Sequence, residues 1–258
     1  MIELARQTWW MTARRLAVFV RQPWFLLITL VQPVIWLFLF GSLFRKVVEL
    51  PGFGAPSYLD YLVPGVIIMN AVSSNMWAGM SMLEEIDRGT LNRFLITPVS
   101  RGAIINATVV EQALSTTVQS VIIVLLGWAS GARYPGGPLG VTVLVVASVL
   151  LGTLFGAASN AVGMLARQRE TIIGMYTFLL LPLTFLSSAF MARDLMPHWM
   201  QAVARFNPVN WALSASRAAL VAHADWAAVA RFGGLLLAVA AVLVWLSTRT
   251  FRAYQRSV

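Results

Sequence analysis

The stretch LGVTVLVVASVLLGTLFGAASNAVGML, residues 139–165, decides how the rest of the chain is read. It carries no charged side chain and is longer than the about 20 apolar residues that cross the hydrocarbon core of a bilayer. Such a run is a membrane-spanning helix. Measured against it, five further stretches qualify: 24–44, 60–82, 105–129, 171–191 and 228–248. The expected fold is therefore an all-α membrane protein with six transmembrane helices, forming a single transmembrane domain over residues 1–258.

Composition agrees. Of 258 residues 59% are hydrophobic and only 11% charged, and the mean hydropathy is +0.75. A soluble domain carries about 25% charged residues, so this chain lacks the charge to cover a water-facing surface. The net charge of +9 comes from arginines and a single lysine, Lys46. These cations cluster at the ends of apolar runs, which is membrane flanking and not a nucleic-acid stripe. With no cysteine, disulfides, thiolate metal sites and cysteine nucleophiles are excluded. No small-residue cleavage site follows a short apolar core near residue 1, so no removable signal peptide is expected.

Ahead of the first span lies IELARQTWWMTARRLAVFVRQP, residues 2–23. At 100° per residue, Ile2, Ala5, Trp9, Ala13, Leu16 and Val20 share one arc and Glu3, Arg6, Gln7, Arg14, Arg15 and Arg21 the other. A basic amphipathic helix with tryptophan on its apolar face lies in the membrane interface. Six spans put both termini on one side. If that side is the cytoplasm, it holds 12 of the 19 Lys and Arg residues and the opposite side 7, as the positive-inside rule prefers. Arg45 and Lys46, at the outer end of the first span, run against that rule.

Inside the bilayer the third span is the least apolar. Thr108, Gln112, Ser115 and Gln119 recur at i, i+4, i+7 and i+11, with Glu111 beside them. A carboxylate within a span costs about 2.5–3.5 kcal/mol on insertion scales and should face protein or water. Two readings stand: a polar wall of a substrate path, or a hydrogen-bonded seam between helices. In the fourth span Gly152, Gly156, Ser159 and Gly163 form a small-residue face that lets helix backbones approach.

No catalytic set is legible: there is no H-E-x-x-H, no metal-ligand cluster and no G-x-S-x-G. GWASG at 127–131 reads as a helix end. No cofactor or metal is expected on the chain. The phosphate loop G-x-x-x-x-G-K-[ST] is also missing, because the sole lysine follows Arg45. If ATP drives transport here, the expected ATPase is another polypeptide.

Two segments remain. EEIDRGTLNRFLITPVSR, residues 84–101, is the densest charge in the chain. Gly89-Thr90 supplies a break and an N-cap, and Pro98 disfavours helix at Thr97, so a helix of about two turns is predicted over Leu91–Ile96. Too short to stand alone, it needs something to pack on Leu91, Phe94 and Leu95: the membrane surface, or a groove on a cytoplasmic partner. Between spans five and six, Pro197 and Pro208 are placed to open two short helices with Asn207-Pro208 as the break. Trp199, Ala202, Val203 and Phe206 make the apolar face of the first, and Val209, Ala212, Leu213 and Leu220 that of the second. A helical hairpin dipping into the outer interface is predicted.

YLVPG (61–65), the 84–101 segment, LLPLTFLSSAFM (180–191) and MPHWMQAVARFNPVNWALSASR (196–217) together resemble the type 2 ABC-transporter permease family. The family comprises bacterial exporters akin to those for daunorubicin-type drugs, lipids and surface polysaccharides. The resemblance covers nearly the whole chain, and it implies a permease subunit of an ATP-driven exporter of an amphipathic substrate in the bacterial inner membrane. It further implies a cytoplasmic ABC ATPase partner that holds ATP and Mg, and a second permease as homodimer or paralogous heterodimer; membrane lipids are also expected partners. The coupling helix of that family falls here on Glu84, Glu85, Gly89, Thr90, Leu91, Phe94, Thr97 and Pro98. Ser187-Ser188 stands where the family often has glycine. An ion-coupled secondary transporter is the alternative, with Glu111 as its sole titratable candidate.

Overall fold

The structure, a computed structural model, describes residues 9–10, 12, 23–49, 57–87 and 101–255. Among them all regular structure is helical. The helices are α1 (Pro23–Leu43), α2 (Tyr58–Met76), α3 (Ala78–Asp87), α4 (Arg101–Ala129), α5 (Gly137–Ala166), α6 (Arg169–Phe185), α7 (His198–Ala204), α8 (Pro208–Leu220) and α9 (Trp226–Gln255). Short 3-10 turns cover Arg45–Glu49 and Arg193–Leu195. Four helical stretches are long and apolar enough to cross a membrane: Tyr58–Glu84, Ala107–Ala129, Gly137–Ala166 and Trp226–Thr250; a shorter apolar stretch is Ile28–Leu43. The predicted interfacial helix lies outside the described residues except for Trp9, Trp10 and Thr12, the two tryptophans being exposed.

The deciding stretch forms α5, whose 30 residues rise about 45 Å, more than the hydrocarbon thickness. It is the central post, packed by α2, α3, α4, α8 and α9. Its small-residue face explains why. A Cβ on Gly152 would stand 2.6 Å from the Asn75 amide nitrogen, and one on Gly156 would collide with the Gln112 side-chain oxygen. Further along, Gly163 faces the backbone of Gly79, and the Ser159 hydroxyl accepts the Gly79 N–H at 3.0 Å. Pro138 opens the helix, and Arg167, in the left-handed region at φ 53°, closes it.

Two spans differ from their predicted form. The second, predicted as one piece over 60–82, runs as one stretch over Tyr58–Glu84 but carries a one-residue irregularity at Trp77 that divides it into α2 and α3. The Trp77 ring packs at 4.5 Å on Tyr176 of α6. The fifth, predicted over 171–191, leaves the helix after Phe185. Backbone at 186–192 turns inward instead, and Ala189 and Ala192 are buried. Non-helical backbone is tolerated at membrane depth only when protein satisfies its polar groups, and here Tyr61, Asn207 and Arg217 donate to its carbonyls. An aromatic ladder braces this bend: Trp36 stacks on Phe40 at 4.5 Å and on Phe190 at 4.9 Å.

Candidate functional site

The predicted polar stripe of α4 faces one cavity. Thr108, Glu111, Gln112, Ser115 and Gln119 all border a space of about 160 Å³ between α1, α2–α3 and α4. Its other wall comes from α2, which the stripe alone did not reveal. Asn70 Nδ2 donates to Gln119 Oε1 at 2.7 Å, and Asn75 Nδ2 donates to Thr116 Oγ1 at 2.9 Å. Gln119 Nε2 reaches Ser115 Oγ at 3.3 Å. One turn away Ser120 and Ser148 share a hydrogen bond of 2.9 Å that ties α4 to α5. The stripe thus lines a cavity and carries seam bonds at once. Asn70, Ser74 and Asn75 were legible as polar residues within a span; their pairing with α4 was not, because it depends on how two helices rotate against each other.

On the opposite side of α2 lies a cleft of about 180 Å³ between α1, α2 and α6. Trp36, Val66, Leu181, Phe185 and Phe190 give it apolar walls, with Gln32, Asn70, Ser73 and Thr184 as polar points. Asn70 lines this cleft and, through its bond to Gln119, links it to the cavity beside α4. An apolar chamber with a few placed amides and hydroxyls is suited to an amphipathic body.

The hairpin between α6 and α9 is built as the punctuation predicts: Pro197 caps α7 and Pro208 opens α8. Asn207 does two jobs. Its Oδ1 accepts the Val209 N–H at 2.9 Å, and its Nδ2 donates to the carbonyls of Leu183 at 3.0 Å and Leu186 at 2.9 Å, which the broken end of α6 leaves without helical partners. Asn210 Oδ1 accepts from Ser188 Oγ at 2.7 Å. Trp199 and Phe206 are exposed, whereas Val209, Ala212 and Leu213 are buried.

Arg217 was not singled out by the sequence, yet it binds the bend most fully. Nη1 donates to the Ser188 carbonyl at 2.7 Å, Nη2 to the Tyr61 carbonyl at 3.1 Å, and the guanidinium lies 3.5 Å from the Tyr61 ring centre. Tyr61 Oη in turn donates to the carbonyls of Ser188 at 2.7 Å and Met191 at 2.8 Å. Burial lowers the Arg217 pKa and the adjacent Tyr61 opposes the shift; an arginine stays charged regardless. Beside it Gly65 is closely covered, since a Cβ there would strike the Ala189 carbonyl oxygen.

At the far end of the molecule, Glu84 is exposed near the end of α3, and Asp87 accepts a hydrogen bond from Arg169 Nη2 at 2.8 Å, at the head of α6. That bond raises the Arg169 pKa above its ordinary value. Of the predicted coupling residues, Gly89, Thr90, Leu91, Phe94, Thr97 and Pro98 lie outside the described residues, as does the side chain of Glu85. In GWASG, the Ser130 hydroxyl donates to the Leu126 carbonyl at 2.7 Å, one turn back, and Gly131 takes φ +100°. Among the described residues no group of His, Asp or Glu is arranged to hold a metal ion.

Comparison with known proteins gives a consistent picture. Residues 6–221 match the ABC-2 type transporter family. The chain is 30% identical over 247 residues to a daunorubicin resistance ABC transporter permease of Streptomyces coeruleorubidus, covering 94% of this chain and 83% of that protein. It is 27% identical over 220 residues to the inner membrane transport permease YadH of Escherichia coli K12, covering 83% of each. With the putative transport permease ycf38 of Cyanophora paradoxa it shares 28% identity over 209 residues, covering 80% of this chain and 71% of that protein.

Proposed function

The chain belongs to the ABC-2 type transporter family and is a multi-pass membrane permease subunit of an ABC transporter; from that premise we propose that it exports an amphipathic substrate with power from a separate ATPase chain. The substrate is a drug, a lipid or a lipid-linked glycan, and ATP and Mg are held on the partner. In this reading α1, α2 with α3, α4, α5, α6 and α9 are six spans of one domain over residues 1–258. The protein sits in a bacterial inner membrane with both termini in the cytoplasm. Segment 84–101 seats in a cleft of the ATPase, and a second permease, identical or related, completes the path.

The observation that carries this reading is the Asp87–Arg169 pair. It joins the base of segment 84–101 to α6, and α6 leads through its broken end into the outer hairpin. A displacement at the ATPase face thereby has a physical route to the opposite side. Along that route lies the cleft shared by α1, α2 and α6, whose aromatic walls and Asn70 amide fit an amphipathic guest. ATP binding shifts the population between two facings of the cleft because the ATPases close on only one of them.

Replacing Phe94→Glu puts a charge on the apolar face of the coupling segment. Membrane insertion is expected to persist while co-purification with the ATPase is lost; co-purification at the normal level refutes the contact. Transport by the reconstituted complex is expected to require ATP and to survive collapse of the proton gradient.

A further inference from the structure

Arg45 and Lys46 break the positive-inside pattern, and the function proposed above gives them no task. The structure places them on the 3-10 turn Arg45–Glu49 that follows α1. Arg45 and Glu49 both line a cavity of about 810 Å³ between the ends of α1 and α4 and the start of α2, whereas Lys46 does not. At about 30 Å³ per water molecule, this is space for a group far larger than an ion. Both charges are exposed at its edge, and among the described residues neither takes part in an ion pair or a side-chain hydrogen bond.

The rest of the wall is amphipathic. Ser42 and Ser57 supply hydroxyls, and Leu37 and Phe38 an apolar side. Ser57 caps α2, its Oγ accepting the Leu59 N–H at 3.3 Å, so the positive end of that helix dipole opens beside Arg45. From Phe38 an exposed apolar stripe runs down α1 through Ile35, Val31, Ile28 and Trp24, at the spacing of one helix face. A cation, a helix N-terminus, a nearby carboxylate and an apolar track leading away into the bilayer are the complements of one kind of molecule.

We propose that this cavity is a binding site for a zwitterionic aminophospholipid: phosphate at Arg45 and the α2 N-terminus, ammonium at Glu49, acyl chain along the Phe38 stripe. The orientation proposed above puts the site in the outer leaflet; the site itself does not depend on that orientation, nor on an ATPase. A free phosphate would use Arg45 and the α2 N-terminus and gain nothing from Glu49 or Phe38. Glu49 also separates this lipid from an anionic one, whose headgroup offers no cation to it.

The test is native mass spectrometry of the purified full chain in detergent, with phosphatidylethanolamine or phosphatidylglycerol added. Arg45→Gln is expected to lower retention of both lipids about fivefold, about 1 kcal/mol. Glu49→Gln is expected to lower retention of phosphatidylethanolamine by about the same factor and to leave phosphatidylglycerol unchanged or increased. Lys46→Gln should match the unsubstituted chain. Unchanged retention in Arg45→Gln, equal loss of both lipids in Glu49→Gln, or an equal loss in Lys46→Gln overturns the proposal. So does displacement of the lipid by inorganic phosphate at matched concentration, which would make this a simple anion site. Because binding is read without ATP or transport, failure here leaves the export function standing, and failure of export leaves this site standing.

Discussion

Arg217→Ala removes a side chain of the hairpin that bonds to both the bend after α6 and the start of α2. The size of the effect follows from its contacts. Two hydrogen bonds to carbonyls are short, 2.7 Å to Ser188 and 3.1 Å to Tyr61, and those to Ser188 Oγ at 3.2 Å and Ala189 at 3.4 Å are weaker shared contacts. A hydrogen bond from a charged donor contributes about 1.5–3 kcal/mol net. Taking the low end for the two short ones, and about 0.5–1 kcal/mol for the guanidinium over the Tyr61 ring, gives about 3.5–4 kcal/mol. Buried Nε has no acceptor, which opposes part of that gain, so we take about 3 kcal/mol.

For a chain of this size about 1 kcal/mol moves the melting temperature by roughly 2–4 °C. Arg217→Ala is therefore expected to lower the apparent Tm in detergent by about 6–12 °C. Hydrogen exchange should quicken at residues 186–192 first, because those carbonyls lose their donor. Arg217→Lys keeps the charge but not the two-pronged donor and should fall between. Arg205→Ala, an exposed arginine in the same hairpin, is the control. If Arg217→Ala melts no lower than Arg205→Ala, or if exchange quickens everywhere alike, the bend is held by packing alone and the reasoning fails.

Other outcomes follow from the same contacts. Asn70→Leu and Gln119→Leu should each destabilise the protein, with a coupling of about 0.6–1.7 kcal/mol in a double-mutant cycle read by unfolding in detergent; additivity would show that the 2.7 Å bond contributes nothing. Gly65→Ala drives a methyl into the Ala189 carbonyl and is expected to expose residues 186–196 to protease without preventing insertion. Arg169→Asp places like charges at the head of α6, and should reduce substrate-stimulated ATP hydrolysis by the assembled complex more at low salt than at high. Adding Asp87→Arg should restore it, and a double variant as impaired as the single would remove the pair from the coupling route.

What could be read in the sequence was local. Asn207-Pro208 and Pro197 fix helix starts through chemistry carried by adjacent residues, so the hairpin appears where the punctuation puts it. The α5 face could be read because glycines recur at helical spacing. The early end of α6 could not, since residues 186–192 are as apolar as the helix before them and depart from it where Tyr61, Asn207 and Arg217 donate to their carbonyls and Asn210 accepts from the Ser188 hydroxyl. In the sequence Arg217 reads as one more arginine for the same reason: its role is set by residues 156 and 29 positions away. The irregularity at Trp77 follows Ser74 and Asn75, whose side chains donate to the Asn70 and Ala71 carbonyls at 2.7 and 2.8 Å, back-bonding of the kind that bends helices.

These long-range features share one consequence. The interrupted second span and the shortened fifth span meet at two levels, through Trp77 on Tyr176 at one end and through Tyr61 and Arg217 on the 186–192 bend at the other. Between those levels they do not close, and the 180 Å³ cleft occupies the gap. A helix held at both ends and open in the middle can change the width of that opening by tilting, without breaking either contact. Asn70 stands at the waist of the opening and is bonded away from it, to Gln119. Release of that one bond would present an amide to the cleft while leaving the seam at Asn75–Thr116 closed; under the function proposed above, the polar stripe of α4 would then tune the cleft for a guest without having to line it.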